Sequence, residues 1–486
     1  MKDFQLSILD QTMFRMYVRH LLFFELPDPG TFEDAFKALE VGFSATIRQI
    51  PFLAGDVKLV DVQTGHLALQ YPEVISDELL DERFTINYSQ AGNPELDYSK
   101  MEKAGFPPLR IWRDVFCPDL LRNHPGHDDE FAEGLISFKK GMSVPVLAAQ
   151  ATLIRGGLVL SVYSHHSVID GTGIAKVYQI WSGHTKRHDR APAPLSRKDI
   201  VELHEDFESQ RRLLDKLAET SDAVDCPEVR FPGSPRSAPK LRQEPYKLAS
   251  KIFVFPEATI SDLATRLTKD TSRRISTFAA LASLMWANIA IARSATLAKH
   301  NILNTKLGIA FDHRRNFDSD FKDTYLGNCV TEVQASCPVS EMLFKTSDDS
   351  IYTEQLTAAA LAISEKLESI DLDWLKPRLN LFSRIPNPWQ LRCDADEMNG
   401  PDLFVTSWMY IGTDCAWGIP GTTTDGPVAI RKPQAPVEGL IHFLPKVRQE
   451  NGFPALDVLL CLEEWEMERL VRRLEGERWA VRMIDA

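Results

Sequence analysis

Apolar and polar residues change their spacing several times along this chain, and each change marks an element. Between residues 31 and 49, Phe32, Ala35, Phe36, Leu39, Phe43 and Ile47 recur at helical spacing, and Thr31 three residues before Asp34 suggests a capping box. Pro51 stops that helix. From Leu59 to Tyr71 the residues alternate, which predicts a strand pair around Thr64-Gly65. Residues 144–154 and 157–164 read as a β-hairpin turned at Arg155-Gly156-Gly157. Helical spacing returns from Gly173 to Ser182, where Ile174, Val177, Tyr178 and Trp181 share a face.

Residues 186–246 have a different character. A basic, Pro-containing start leads into a polar helix with Leu203, Phe207, Leu213, Leu214 and Leu217. Pro227 to Pro245, with Pro232, Pro235 and Pro239 between, is incompatible with a regular helix or inner strand and predicts an exposed linker. A second unit begins with Ile252-Phe253-Val254-Phe255. It continues with a Ser- or Thr-capped apolar helix from Ile275 to Ile291, a strand from Leu307 to Phe311, and a helix over 353–369. Strands are expected over Val405–Ile411, Gly439–Leu444 and Ala455–Leu462, with a last helix from Glu464 to Arg473. A chain of 486 residues exceeds one hydrophobic core, so two domains follow: 1–200, a crossover at 201–246, and 247–486.

A net charge of −13 disfavours non-specific nucleic-acid binding. The seven cysteines are scattered with no Cys-x-x-Cys pair, which argues against a zinc framework or disulfides and for a reducing compartment. Leu21-Leu22-Phe23-Phe24 is too short for a membrane span or signal peptide, so a cytoplasmic protein is expected.

The densest chemistry lies at Tyr163-Ser164-His165-His166-Ser167-Val168-Ile169-Asp170-Gly171-Thr172-Gly173. A histidine at a strand end, followed by a glycine turn and a helix, is a base presented by a rigid scaffold. On that reading His166 accepts a proton and Asp170 orients it or braces the loop; on the structural one, His166 is a hydrogen-bonded loop residue and Asp170 a helix cap. A metal site lacks a second cluster of ligands, so none is expected. Thr406-Ser407-Trp408 and Asp414-Cys415-Ala416-Trp417-Gly418-Ile419-Pro420 suggest a tight loop against a cavity, or a structural turn carrying core aromatics. At Asp312-His313-Arg314-Arg315, Arg314 is suited to neutralise a buried Asp in a bidentate pair, against the alternative of a solvated charge cluster. Lys269, Arg273, Arg274 and Ser276 precede the long helix, where a phosphate or mere solvent is the partner. His20, His66, His124, His204 and His442 have no sequence neighbours that single them out.

Taken together, His165-His166-x-x-x-Asp170-Gly171 and the distant Asp414-x-x-Trp417-Gly418 resemble the BAHD acyl-CoA-dependent acyltransferases, in particular their fungal branch with the trichothecene acetyltransferases. Leu9-Asp10-Gln11, Ile50-Pro51-Phe52-Leu53-Ala54-Gly55, Ile275-Ser276-Thr277-Phe278 through Trp286 and Gly439 to Pro445 extend the likeness over nearly the whole chain. Cys415 and Ala416 replace the Phe and Gly of the family's Asp-Phe-Gly-Trp-Gly.

The resemblance implies an α/β fold of two chloramphenicol-acetyltransferase-like domains, each a mixed sheet with flanking helices, with an active-site channel between them. It implies a monomer without a bound cofactor that takes acyl-CoA, acetyl-CoA first, and a small-molecule alcohol or amine acceptor. His166 matches the family's base, and Asp170 an Asp that points away from substrate toward an Arg, here Arg314. Thr406 and Trp408 match pocket residues; Gly171, Asp414, Trp417 and Gly418 match structural ones. Lys269, Arg273, Arg274 and Ser276 are the candidate CoA contacts. A carrier-dependent condensation enzyme and a catalytically silent binding protein of the same fold stand as rival readings.

Overall fold

Arg155 and Gly156 reverse the chain so tightly that Ile154 faces Gly157, with Gly156 at φ 73°, a backbone conformation glycine adopts freely. The computed structural model describes residues 1–122, 124, 134–139, 141–188, 206–222, 224–343, 352–448, 454–476, 479 and 482–486. The hairpin pairs strands Leu147–Ile154 and Gly157–His165 at the heart of a five-stranded mixed sheet. Gly157 thus belongs to a strand rather than to the turn. Tyr17–Glu25 lies beside Gly157–His165, and Phe84–Asn87 runs parallel to the other hairpin strand. Residues 144 and 145, expected in the hairpin, instead belong to Ser143–Pro145, which pairs with Asp56–Leu59 in a separate four-stranded sheet. Pro145 has no N–H to donate, which suits this short edge strand.

The helices Phe32–Gln49 and Gly171–Thr185 pack together beside the five-stranded sheet. Gly42 permits their closeness, because a Cβ there would meet the Thr185 hydroxyl at 2.3 Å. The Trp181 indole N–H donates to the Leu39 carbonyl at 2.9 Å across the same contact. Thr31 does not form the expected capping box. A short turn at Pro29–Thr31 leads into the helix, and the Thr31 hydroxyl donates back to the Asp28 carbonyl.

The second mixed sheet has eight strands, with Leu403–Ser407 parallel to both Asn304–Asp312 and Leu440–Phe443, and all other pairs antiparallel. The expected strand over Val405–Ile411 stops at Ser407. Thr277–Ala292 is apolar on nearly every side and runs buried through this half, its Ser276 cap accepting from the Ala279 N–H. The strand Arg482–Asp485 escapes sequence reading because only its pairing with Leu248–Pro256 identifies it.

Leu203, His204 and the boundary at residue 200 lie outside the described residues; the helix observed there is Phe207–Glu219. The stretch from Pro227 to Pro245 is more than an exposed linker. Val229–Arg230 pairs with Arg392–Cys393, Arg230 binds Asp394 and Asp396, and Arg242 binds Glu438. Its prolines suit an irregular path, and these contacts strap that path to the second half.

A second departure concerns residues 411–431, expected with the second unit. Ala429–Arg431 adds an edge strand to the first sheet beside Tyr17–Glu25. Ile411, Cys415, Trp417, Ile419 and Ile430 enter the first half's core, so the halves exchange a loop. Among the described residues no helix is long and apolar enough to cross a membrane, no His/Cys/Asp/Glu cluster is placed to hold a metal, and all seven cysteines are buried thiols.

Trp417 is the largest side chain of the exchanged loop, fully buried against Trp181, Tyr178 and Phe24. Trp417→Ala is expected to cost about 3–5 kcal/mol of unfolding free energy in urea titrations. A loss below about 1 kcal/mol would show that the loop does not support the first core.

Candidate active site

The strand Gly157–His165 delivers two histidines to the seam between the halves, and the backbone fixes where each one goes. The His165 N–H donates to the Val146 carbonyl and the His166 N–H to the Met16 carbonyl, both at 2.8 Å. His165 is buried, its Nδ1 accepting from the Ser167 N–H. His166 alone keeps partial access to solvent.

The His166 Nδ1 is buried without a hydrogen-bond partner among the described residues. Burial lowers the imidazole pKa from its ordinary value of 6.5, partly offset by the carbonyl, Asp170, Asn328 and Asp10. At neutral pH the ring is therefore uncharged and able to accept a proton.

Asp170 caps the Gly171–Thr185 helix by accepting from the Gly173 N–H at 2.9 Å. Its carboxylate also receives Arg314 Nη1 at 2.9 Å, Arg314 Nη2 at 3.0 Å and the Cys329 N–H at 2.9 Å. Asp170 thus caps a first-half helix and is otherwise held by the second half, with no hydrogen bond to His166 among the described residues. Burial opposes the Arg314 charge, but Asp170 and Asp312 together outweigh it and leave the guanidinium pKa raised. Gly173 must be glycine for steric reasons, since a Cβ would lie 2.2 Å from the Leu326 carbonyl oxygen.

Three further residues, Asp10, Arg211 and Asn328, come from separate segments and meet under the histidine loop. Asp10 accepts from the Ser7 N–H and hydroxyl, Arg211 Nε, and both the backbone N–H and the side-chain amide of Asn328. Asn328 Nδ2 also donates to the His166 carbonyl at 2.8 Å, and Arg211 Nη2 donates to the Val168 carbonyl at 3.0 Å. The N-terminal segment, the crossover helix and the second half therefore share one network under the histidine loop. The Leu9-Asp10-Gln11 likeness was the sole sequence hint of it.

Thr406 and Trp408 lie at the end of a second-half strand. The pyrrole edge of Trp408 passes 3.9 Å from where a Gly171 Cβ would stand. Its indole N–H has no acceptor among the described residues. His20 and His442 are not the isolated histidines the sequence suggested. They flank Trp408 edge-on, with ring centroids 4.5 Å and 3.9 Å from it.

The second motif loop lies in the first core rather than against a cavity. Trp417 is wholly buried, and Gly418 takes φ 56° where a Cβ would press on Lys186. Asp414 departs from its expected structural role: it is exposed and makes no hydrogen bond among the described residues. Of the basic group before the long helix, Arg273 is held by Glu368 at 2.7 Å and by Glu365, and the Ser276 hydroxyl is occupied as a cap. Lys269 and Arg274 are exposed and carry no ion pair among the described residues.

Two family models match this chain. The Transferase family model covers residues 113–476, and that of the trichothecene 3-O-acetyltransferase-like N-terminal domain covers residues 16–183. Similar proteins include trichothecene 3-O-acetyltransferase TRI101 of Fusarium sporotrichioides, 24% identical over 98% of this chain and 96% of that one. The trichothecene 3-O-acetyltransferase of Saccharomyces cerevisiae is 26% identical over 98% and 95%. Eremophilane O-acetyltransferase ORF8 of Penicillium roqueforti is 23% identical over 98% and 97%. Among solved structures, F. graminearum TRI101 complexed with coenzyme A and T-2 mycotoxin superposes with a TM-score of 0.77 at 19% identity, covering 100% of both chains. Vinorine synthase gives 0.57 at 15%, over 99% and 94%.

The geometry separates two roles by stability. Asp170→Asn leaves a buried guanidinium facing an amide and is expected to cost about 3–5 kcal/mol in chemical denaturation. His166→Ala is expected to stay within about 1 kcal/mol of the parent. Equal losses in the two variants would contradict the division.

Proposed function

Because this chain belongs to the Transferase family, the BAHD acyltransferases, we propose that it moves an acyl group, acetyl first, from coenzyme A to a hydroxyl of a small hydrophobic natural product. The observation that carries the reading is His166: a neutral, partly accessible imidazole held in place through its backbone, its Nδ1 without a hydrogen-bond partner among the described residues. Relatives that acetylate trichothecene and eremophilane hydroxyls make oxygen the first choice of acceptor atom over nitrogen. The solved relative holding coenzyme A and a toxin together supports simultaneous binding of donor and acceptor.

His166 Nε2 takes the hydroxyl proton as the acceptor oxygen attacks the thioester carbonyl. The tetrahedral intermediate carries its charge on the former carbonyl oxygen. The Trp408 indole N–H is the donor we assign to that oxyanion, a contact worth roughly 3–4 kcal/mol when well aimed. As the carbon–sulfur bond breaks, the imidazolium returns its proton to the leaving thiolate. Ester and free thiol leave, and no acyl group is attached to the protein. Thr406 lines the acceptor side. Lys269, Arg274 and Ser276, beside the N-terminus of the long helix, are the coenzyme A contacts we assign; Arg273 joins them only by releasing Glu368.

Incubation with acetyl-CoA, hydroxylated terpenoids and polyketides, and a thiol reagent tests the reading. Acceptor-dependent thiol release is expected, with a 10²- to 10⁴-fold loss, on the order of general-base contributions, in His166→Ala. No release from any acyl-CoA and acceptor would refute it.

The pH profile follows from the imidazole. Only the neutral ring is a base, so kcat/KM falls as pH drops through the folded pKa. Because burial lowers that pKa, the plateau should extend below pH 6.5. An acid limb with its midpoint above 6.5 in kcat/KM measurements would rule out His166 as the titrating base.

A further inference from the structure

Around Trp408 the chain buries a group of bases that the acyl transfer does not use. His20, 0% exposed, gives Nδ1 to the Tyr178 hydroxyl at 2.9 Å and leaves Nε2 without a partner. His442, 3% exposed, leaves both ring nitrogens without one. The strand register places these groups together. Thr406 stands opposite His442 in the second sheet, and Arg431 opposite Leu21 in the first. One step beyond that ladder, Lys432 follows beside His20. Lys432 is 9% exposed and makes no hydrogen bond or ion pair among the described residues. Arg19, also buried, adds a further positive charge. The carboxylate Asp457 binds Arg431 at 2.7 Å through one oxygen and leaves the other without a partner, while Glu438 is engaged by Arg242 and Tyr246.

Buried polar atoms ordinarily have partners, and several unpartnered nitrogens in one place need an explanation. Burial, with Arg19 beside it, holds the Lys432 pKa down at about 7. Burial, Lys432 and His20 push the His442 pKa well below 6.5. Both imidazoles are thus neutral, each with a single N–H to give, and the Lys432 amine is the group beside them that can carry a positive charge without a carboxylate bound to it.

The distance to the reacting base selects the ligand. His20 lies four residues along its strand from Met16, which binds the His166 N–H, or about 13 Å at strand rise. Tyr178 lies seven residues along the helix from Gly171, or about 10 Å. An acetyl group brings no anion to that place, whereas the far end of an acceptor can.

We propose that Lys432 and His442, with His20, form a carboxylate subsite, and that the acceptor bears a carboxylate about 10 Å from the hydroxyl that is acylated. The proposal rests on the acyl-transfer reading for its acceptor and on the unpartnered cluster for its chemistry.

The probes are ω-hydroxyoctanoate, ω-hydroxydodecanoate and ω-hydroxyhexadecanoate, each with its methyl ester. Turnover is followed with acetyl-CoA, and binding without a donor by calorimetry. The acids should surpass their esters in kcat/KM by roughly ten- to hundredfold, the span of one charge-assisted contact. Lys432→Met should remove that preference while leaving ester turnover and the KM for acetyl-CoA unchanged. His442→Gln, which keeps hydrogen bonding, should weaken the preference only partly and guards against a folding defect in the first variant. Equal use of acids and esters by the parent overturns the subsite even where acyl transfer is observed. So does a Lys432→Met effect confined to the KM for acetyl-CoA, which would assign the charge to coenzyme A. Lys432-dependent binding of the acids without turnover supports the subsite and counts instead against the transfer reaction.

Discussion

Between Asp170 and Arg314 a carboxylate and a guanidinium meet almost out of reach of water, and both halves of the chain are fastened to them. Taking two such charges out of water is costly, and the attraction repays it only where the remaining valences are filled. Here they are filled. The Gly173 and Cys329 N–H groups complete the carboxylate, while Asp312 and the Gly327 carbonyl complete the guanidinium. The pair sets the start of the Gly171 helix, the exit of the histidine loop and the beginning of the strand Val330–Pro338 relative to one another. Its value lies in registering two units that have separate cores.

Asp10 does the same on the other flank. One carboxylate binds Ser7, Arg211 and Asn328, and Asn328 and Arg211 in turn hold the carbonyls of His166 and Val168. His166 itself donates its N–H to Met16. The candidate base is therefore positioned by its backbone, from three segments distant in sequence, while its ring stays free. That division suits a group whose imidazole must accept and return a proton without being tied to a permanent side-chain partner.

The exchanged loop from Ile411 to Arg431 binds the halves by packing rather than charge. Trp417 fills the first core, and Ala429–Arg431 lengthens the first sheet. Trp408 marks where this loop leaves the second sheet, and it is gripped by His20 from one half and His442 from the other. The same crossing that stabilises the assembly carries Lys432 to the seam. Structure and candidate specificity thus share one segment.

Much of this was legible in the residues. The hairpin turned at Gly156, the cap at Ser276, the apolar helix after it and the strand ending at His165 all follow from local spacing and turn chemistry, because neighbours in sequence create them. The His166–Asp170 spacing and the distant Trp417-Gly418 identified the family. The partners of these residues were another matter. Asp10, Asn328, Arg211, His20, His442 and Lys432 come from separate strands, loops and a helix, and no periodicity relates them. A linker rich in proline became a strap because aspartates far along the chain met its arginines. The sequence alone determined which elements form and which imidazole stands at a strand end; tertiary structure decided what surrounds that imidazole and which bases are left without a partner, since burial and hydrogen bonding between distant segments exist only once the chain has folded.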